Sequence, residues 1–120
     1  MRMIEIDYEA QPPIDGYGPG GFRIGGNWHD GSLLLMPDGL LPIPHQLSVN
    51  LLTPVLSARE MLDVLLIGMG ADIAPLPRDM RQALDDAGIG LDIMSTPSAC
   101  RTYNVLLTED RLVAAVLVAV

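Results

Sequence analysis

The spacing of apolar positions changes near Leu47, and the change divides the chain into two textures. Ahead of it, apolar residues come in short runs broken by glycine and proline. Ile4-Glu5-Ile6-Asp7-Tyr8 alternates apolar and polar residues, the pattern of a half-buried strand. The stretch 11–21 holds prolines at 12, 13 and 19 and glycines at 16, 18, 20 and 21, which excludes a helix or an interior strand and predicts a glycine-rich loop. Phe22-Arg23-Ile24 then predicts a short strand stopped by Gly25-Gly26. After the turn pair Asp30-Gly31, Ser32 to Met36 predicts another, so a hairpin is expected over 22–36. Pro37-Asp38-Gly39 and Pro42-Ile43-Pro44 mark further turns.

Beyond Leu47 the period lengthens and helices alternate with strands. Thr53-Pro54 places an N-cap residue before a proline suited to a first helical turn, predicting a short helix that ends near Glu60. Leu62-Asp63-Val64-Leu65-Leu66-Ile67, closed by Gly68, is a mostly apolar run, as expected of a strand covered on both faces. Pro77 introduces a helix over 78–87, in which Met80, Ala83, Leu84 and Ala87 share one apolar face, and Gly88 stands where a C-cap needs a left-handed residue. A strand over 89–94 follows. Thr96-Pro97 repeats the cap-plus-proline start for a helix running to about Thr108, with Ala99, Tyr103, Leu106 and Leu107 on one face. Glu109-Asp110 turns the chain into a last strand over 112–120. This order of elements predicts an α/β fold whose sheet is covered by helices.

Composition narrows the function. At 120 residues the chain suits one domain, 1–120, and buries roughly two-thirds of its unfolded surface. Fifteen acids against seven bases give a net charge of −8, which argues against nucleic acid as a partner. All the bases are arginine, and the missing lysine excludes a Schiff-base site, a P-loop and a kinase-type site. Acids within the first apolar stretch exclude a secretory h-region, and the run 112–120 is far shorter than the ~20 residues that cross a bilayer, so a cytoplasmic protein is expected. The lone Cys100 has no partner for an intrachain disulfide. With 49% hydrophobic and 18% charged residues, apolar surface is left to pair with another copy, and an edge strand over 112–120 would need covering; both make a homodimer a candidate.

The candidate sites are few. Gly16-Tyr17-Gly18-Pro19-Gly20-Gly21 has dinucleotide-type spacing, but a strand-like segment follows it where the motif needs a helix N-terminus, so it reads as a structural turn. Gly68-Met69-Gly70 follows a buried strand at the carboxyl edge of the sheet, where it is either a strand-exit turn or part of a small-ligand or anion site. The start at Thr96 is the most polar helix start in the chain. Cys100 and Arg101 lie a turn inside it, yet His29 and His45 sit in front-half loops, and a cysteine on an Ala99/Tyr103 face is usually a small buried hydrophobe. No metal site and no cofactor are expected, since the histidines lack helical spacing and Cys100 lacks a cysteine partner. Asp85-Asp86 reads as a solvated face, and Trp28 is either an exposed anchor for a partner or a lid over the core.

Taken in order, Gly20-Gly21-Phe22-Arg23-Ile24-x-Gly26, Leu65-Leu66-Ile67-Gly68-x-Gly70, and Thr96-Pro97-x-Ala99-Cys100-x-Thr102-Tyr103-Asn104 with Arg111 opening a final apolar strand span nearly the whole chain. Together they resemble a small family of unknown function that includes mitochondrial respiratory complex I assembly factor three and bacterial single-domain relatives. The resemblance implies a compact three-layer α/β domain with a mixed central sheet flanked by helices, plus an N-terminal β-hairpin. It implies no established catalysis, since the mitochondrial relatives act by binding other proteins. One departure is Pro42-Ile43-Pro44, where many relatives carry a tryptophan.

Two readings follow. The first is a non-enzymatic protein-binding or assembly domain presenting Tyr17, Phe22, Arg23 and Trp28 to a protein partner. The alternative is a small-ligand- or anion-binding protein, or minor enzyme, with a pocket formed by Gly68, Gly70, Thr96, Arg101 and Asn104.

Overall fold

The computed structural model describes residues 11–120; the strand expected at Ile4 to Tyr8 lies outside them. The strands are β1 (Ile14–Gly18), β2 (Gly21–Ile24), β3 (Asn27–Asp30), β4 (Ser32–Met36), β5 (Gly39–Ile43), β6 (Val64–Gly68), β7 (Leu91–Met94) and β8 (Val113–Leu117); the helices are α1 (Thr53–Ser57), α2 (Arg78–Ala87) and α3 (Thr96–Thr108). A five-stranded sheet runs β5-β4-β8-β6-β7, and a three-stranded antiparallel sheet runs β1-β2-β3. In the larger sheet β4 is antiparallel to β5 and β8, while β6 is parallel to both β8 and β7. The sheet is therefore mixed, as expected.

Strand periodicity sorts the core into two halves. Leu34, Leu65, Ile67, Ala114 and Val116 point to one face, where α1 and α2 bury them with Leu52, Val55, Met80 and Leu84. Leu33, Leu35, Leu66, Val113, Ala115 and Leu117 point to the other and meet Ala99 and Tyr103 of α3 and Ile14, Phe22 and Ile24 of the small sheet. The result is three layers, with α1 and α2 on one side of the large sheet and α3 beside the small sheet on the other. Right-handed crossovers explain the split. The step from β6 to β7 carries α2 over one face, and the return past β6 to β8 carries α3 over the opposite face.

Helix ends follow local chemistry. α2 spans 78–87 as expected, and Gly88 closes it at φ 72. At α3 the cap is Ser95, whose side chain accepts from the Ser98 N–H, and Thr96 is the first helical residue. Thr53 likewise begins its helix after a 3-10 turn over Val49–Leu52, and the helix is shorter than expected, passing at Ala58 into a second 3-10 turn over Arg59–Met61. Both threonines look like caps beside a proline in the sequence, but Thr96 is held by bonds to Gly70 and Val118 and Thr53 continues a 3-10 turn, its hydroxyl donating to the Asn50 carbonyl, so neither takes the extended cap conformation.

Four expectations about the strands change. The tight hairpin is β2–β3, turning on Gly25-Gly26, both at positive φ, and Gly31 leads the chain from the small sheet into the large one. The segment expected to be a glycine-rich loop contains β1, tolerated because it is an edge strand with a bulge between Ile14 and Gly16. Pro42 lies in β5 rather than in a turn. In the two-residue hairpin β4–β5, residues 39, 41 and 43 take the hydrogen-bonded positions, so the proline faces the free edge where no N–H is needed. The last strand, expected at an edge, sits in the middle between β4 and β6, so it offers nothing for a second copy to pair with.

The sheet's register also explains Gln11. Extending the β4–β8 pairing brings residue 37 opposite Val113, but Pro37 has no N–H to donate. Gln11 Nε2 donates to the Val113 carbonyl instead, at 3.1 Å, and to the Tyr103 hydroxyl at 2.6 Å. At the same end, the Leu112 N–H donates to Asp63 Oδ2 at 2.8 Å and Arg111 lies 3.4 Å from that oxygen, which together hold the Asp63 carboxyl below its ordinary pKa, with the backbone bond the larger cause.

Gly68 is packed tightly against the start of α3. A Cβ there would lie 2.9 Å from Thr96 Cα and 3.1 Å from the Ala99 methyl, both fixed by the helix. Gly68→Ala is expected to destabilise the fold by about 1–3 kcal/mol, the cost of forcing one extra carbon into a filled contact. Urea denaturation of the two proteins checks it, and an unchanged midpoint would contradict the packing described.

Candidate functional site

The outward face of the small sheet is built by its register. Arg23 stands opposite Trp28, and Gly18 and Gly21 face each other beside them, so these four share one face. The Trp28 ring runs across β2 toward β1 over the two glycines. A Cβ on Gly21 would fall on the His29 carbonyl oxygen and 2.7 Å from Trp28 Cζ2, and one on Gly18 would lie 3.5 Å from the far end of the indole. The indole N–H donates to Asp30 Oδ1 at 2.8 Å. Trp28 is nonetheless 43% exposed, so it is held in place without being buried. Beside it Arg23 is exposed, and the β2–β3 turn is tied to β1 by the Gly26 N–H donating to Asp15 Oδ2 at 2.7 Å.

Grouping Phe22 and Tyr17 with this surface does not survive the register. Phe22 is fully buried among Leu33, Leu35 and Tyr103, because it alternates to the core face of β2. Tyr17 pairs with Phe22 on that same side and is 44% exposed only because β1 is an edge strand. Of the four residues, only Trp28 and Arg23 share the outward face, and Tyr17 lies on the opposite one. His29, expected in a loop, is a β3 residue paired with Phe22.

The carboxyl edge of the large sheet is where open α/β folds gather ligands. Here Thr96 occupies it. Its fully buried hydroxyl donates to the Val118 carbonyl at 2.7 Å and accepts the Gly70 N–H at 2.8 Å, while the Thr96 N–H donates to the Gly70 carbonyl at 2.8 Å. Gly68, Gly70 and Thr96 are thus brought together as a packed knot. The amides at the start of α3 are also used: Ser98 donates to Ser95 Oγ and Ala99 to the Ser95 carbonyl, and Pro97 has none. Arg101 is exposed and donates to Ser98 Oγ at 3.3 Å. Asn104 faces elsewhere, with both amide atoms bonded at 2.8 Å to the backbone of Ile14, clamping β1 onto α3.

Two further groups resemble chemistry but are structural. Cys100 is 5% exposed, and burial pushes its thiol up to about 11, against a smaller opposing effect of Arg101. Burial likewise pushes the Tyr103 hydroxyl up to about 12. Ser32 Oγ lies 3.2 Å from His45 Nδ1, a pairing that distant sequence positions conceal, but Ser32 is buried and its hydroxyl accepts the Ala119 N–H at 3.0 Å. That hydroxyl fastens the segment after β8 to the start of β4.

The family profile described as "Protein of unknown function (DUF498/DUF598)" matches residues 14–118, from the start of β1 to the carbonyl that Thr96 holds. This chain belongs to that family. It is 45% identical to an uncharacterized protein of Rhodobacter capsulatus, covering 98% of this chain and 92% of that protein. It is 33% identical to the NADH dehydrogenase [ubiquinone] 1 alpha subcomplex assembly factor 3 of Danio rerio, covering 98% of this chain and 70% of the fish protein. Among solved structures, a Bartonella henselae protein described as an outer membrane protein is 42% identical with a TM-score of 0.86, covering 91% of this chain and 95% of that one. In this member of DUF498/DUF598, no helix among the described residues is long and apolar enough to cross a membrane.

Trp28 is the chain's single tryptophan, so its fluorescence reports directly on the glycine floor. Gly21→Ala is expected to lift the indole off β2, shifting its emission to the red and raising its quenching by acrylamide; unchanged emission would contradict the stacking. The thiol supplies a second prediction. Between pH 9.0, where an unfolded cysteine ionises, and about 11, the folded chain keeps a proton the unfolded chain has released. Stability is therefore full below pH 9 and falls as pH rises through that window, and Cys100→Ala should flatten the decline in urea midpoints measured between pH 8 and 10.5.

Proposed function

We propose that this chain is a protein-binding domain of the assembly-factor type, acting in the cytoplasm without chemistry of its own, and that a protein partner docks on the outward face of the small sheet around Trp28 and Arg23. The observation that carries the reading is the indole held at 43% exposure by Asp30 and a floor of two glycines. Tryptophan and arginine are the residue types that dominate binding energy at interfaces. A ring already fixed in its bound position loses little freedom on association. The relationship to a protein named as a complex I assembly factor supports the same reading, as do a thiol and a serine that are both packed into the core.

Affinity purification from the native organism, with the intact chain and Trp28→Ala side by side, tests it. The intact chain is expected to retain a partner that the variant holds about thirtyfold more weakly, corresponding to the loss of an interface hot spot. Since the indole is half-exposed, denaturation midpoints should show the variant folded. Recovery of the same proteins by both, or of none by either, would sink the reading.

A further inference from the structure

On the other side of the molecule, the end of the β4–β5 hairpin and the α1 segment wall an open groove of about 510 Å³. Met36, Leu41, Pro54, Ala58 and Met61 line it, and Leu41 and Met61 are 46% and 52% exposed. The exposure has a structural cause. Leu41 pairs with Leu34, which faces the α1 and α2 layer, so Leu41 points to the same side. But α1 is only five residues long and breaks into a 3-10 turn before it can cover the outer strand. From this groove we infer a second docking site, one that takes a short amphipathic helix carrying basic residues from another protein.

Charge and backbone geometry select that occupant. Among the described residues Asp38 is the one charged residue lining the groove, on a chain of net charge −8. A second copy would bring its own −8 and its own Asp38 to the contact, so self-docking is opposed and a cationic segment is drawn in. An added strand is disfavoured, because Pro42 presents no N–H on the free edge of β5. An apolar trough between a hairpin and a helix, containing two adaptable methionines, instead suits helical anchors three and four residues apart. The groove and the Trp28 face lie on opposite sides of the central sheet, so the domain can hold two partners at once. The two sites stand on separate observations, and either can fail alone.

The test titrates isotope-labelled protein with a fourteen-residue leucine–lysine peptide of helical spacing, in parallel with its leucine–glutamate counterpart. The basic peptide is expected to shift the amides of Gly39, Leu41, Ala58 and Met61 saturably while leaving those of Arg23 and Trp28 in place, and the acidic one to bind far more weakly. Asp38→Asn should weaken binding by up to about fivefold, the value of one exposed ion pair, and Leu41→Ser with Met61→Ser by at least about tenfold. Equal binding of both peptides, shifts scattered over the acidic surface, or affinity unchanged by these substitutions would overturn the inference. So would shifts at the same four amides that grow with protein concentration alone, since they would assign the groove to a second copy.

Discussion

The hydroxyl of Thr96 is the point on which the fold converges. With one donated and one accepted hydrogen bond it joins the exit of β6 at Gly70, the end of β8 at Val118 and the start of α3. All three meet only because Gly68 has no side chain. Buried polar groups are stable when every bond is satisfied, and this one is. The same knot fills the crevice at the carboxyl edge of the sheet. At the edge where open α/β sheets gather ligands, Thr96 ties three elements together, and the exposed Trp28 and Leu41 lie on the flanking surfaces.

Those surfaces follow from how unevenly the two faces of the sheet are covered. On one face α3 shares the work with a small sheet tied down by Asn104, and a sheet brings with it an outward side. Its glycines at 18 and 21 give up side-chain packing so that an indole can lie flat on backbone. On the other face the helices are too short to reach the outermost strand, leaving Leu41 and Met61 uncovered. A domain covered unevenly in this way keeps exposed apolar surface on both sides of its central sheet.

Many of the glycines and prolines that set the composition apart act as punctuation. Pro54, Pro77 and Pro97 stand at helix starts, Gly88 closes α2, and Gly25, Gly26 and Gly31 take positive φ at turns. Where such signals are local they read correctly from the chain. α2 could be bounded to the residue, because a fixed φ at Pro77 and a left-handed Gly88 act within one turn of themselves. The exposed indole was legible as a candidate, and its partner Arg23 with it. Phe22 was misplaced among them because which face of a strand is buried depends on what lies beneath the sheet.

The sequence by itself determined the alternation of strands and helices in the back half, the positions of the helices, the family and the absence of lysine chemistry, since each rests on residue identity or on spacing within a few positions. Only the tertiary structure decided which runs pair. β3 turned back on β2 and left β4 to the large sheet; β8 moved from a supposed edge to the centre; β5 formed around a proline. Strand pairing is a contact between distant segments, chosen by the burial of both faces together, and no local pattern encodes it. For the same reason Thr96, which looks like a helix cap beside its proline, proved to be the buried pin of the sheet's edge.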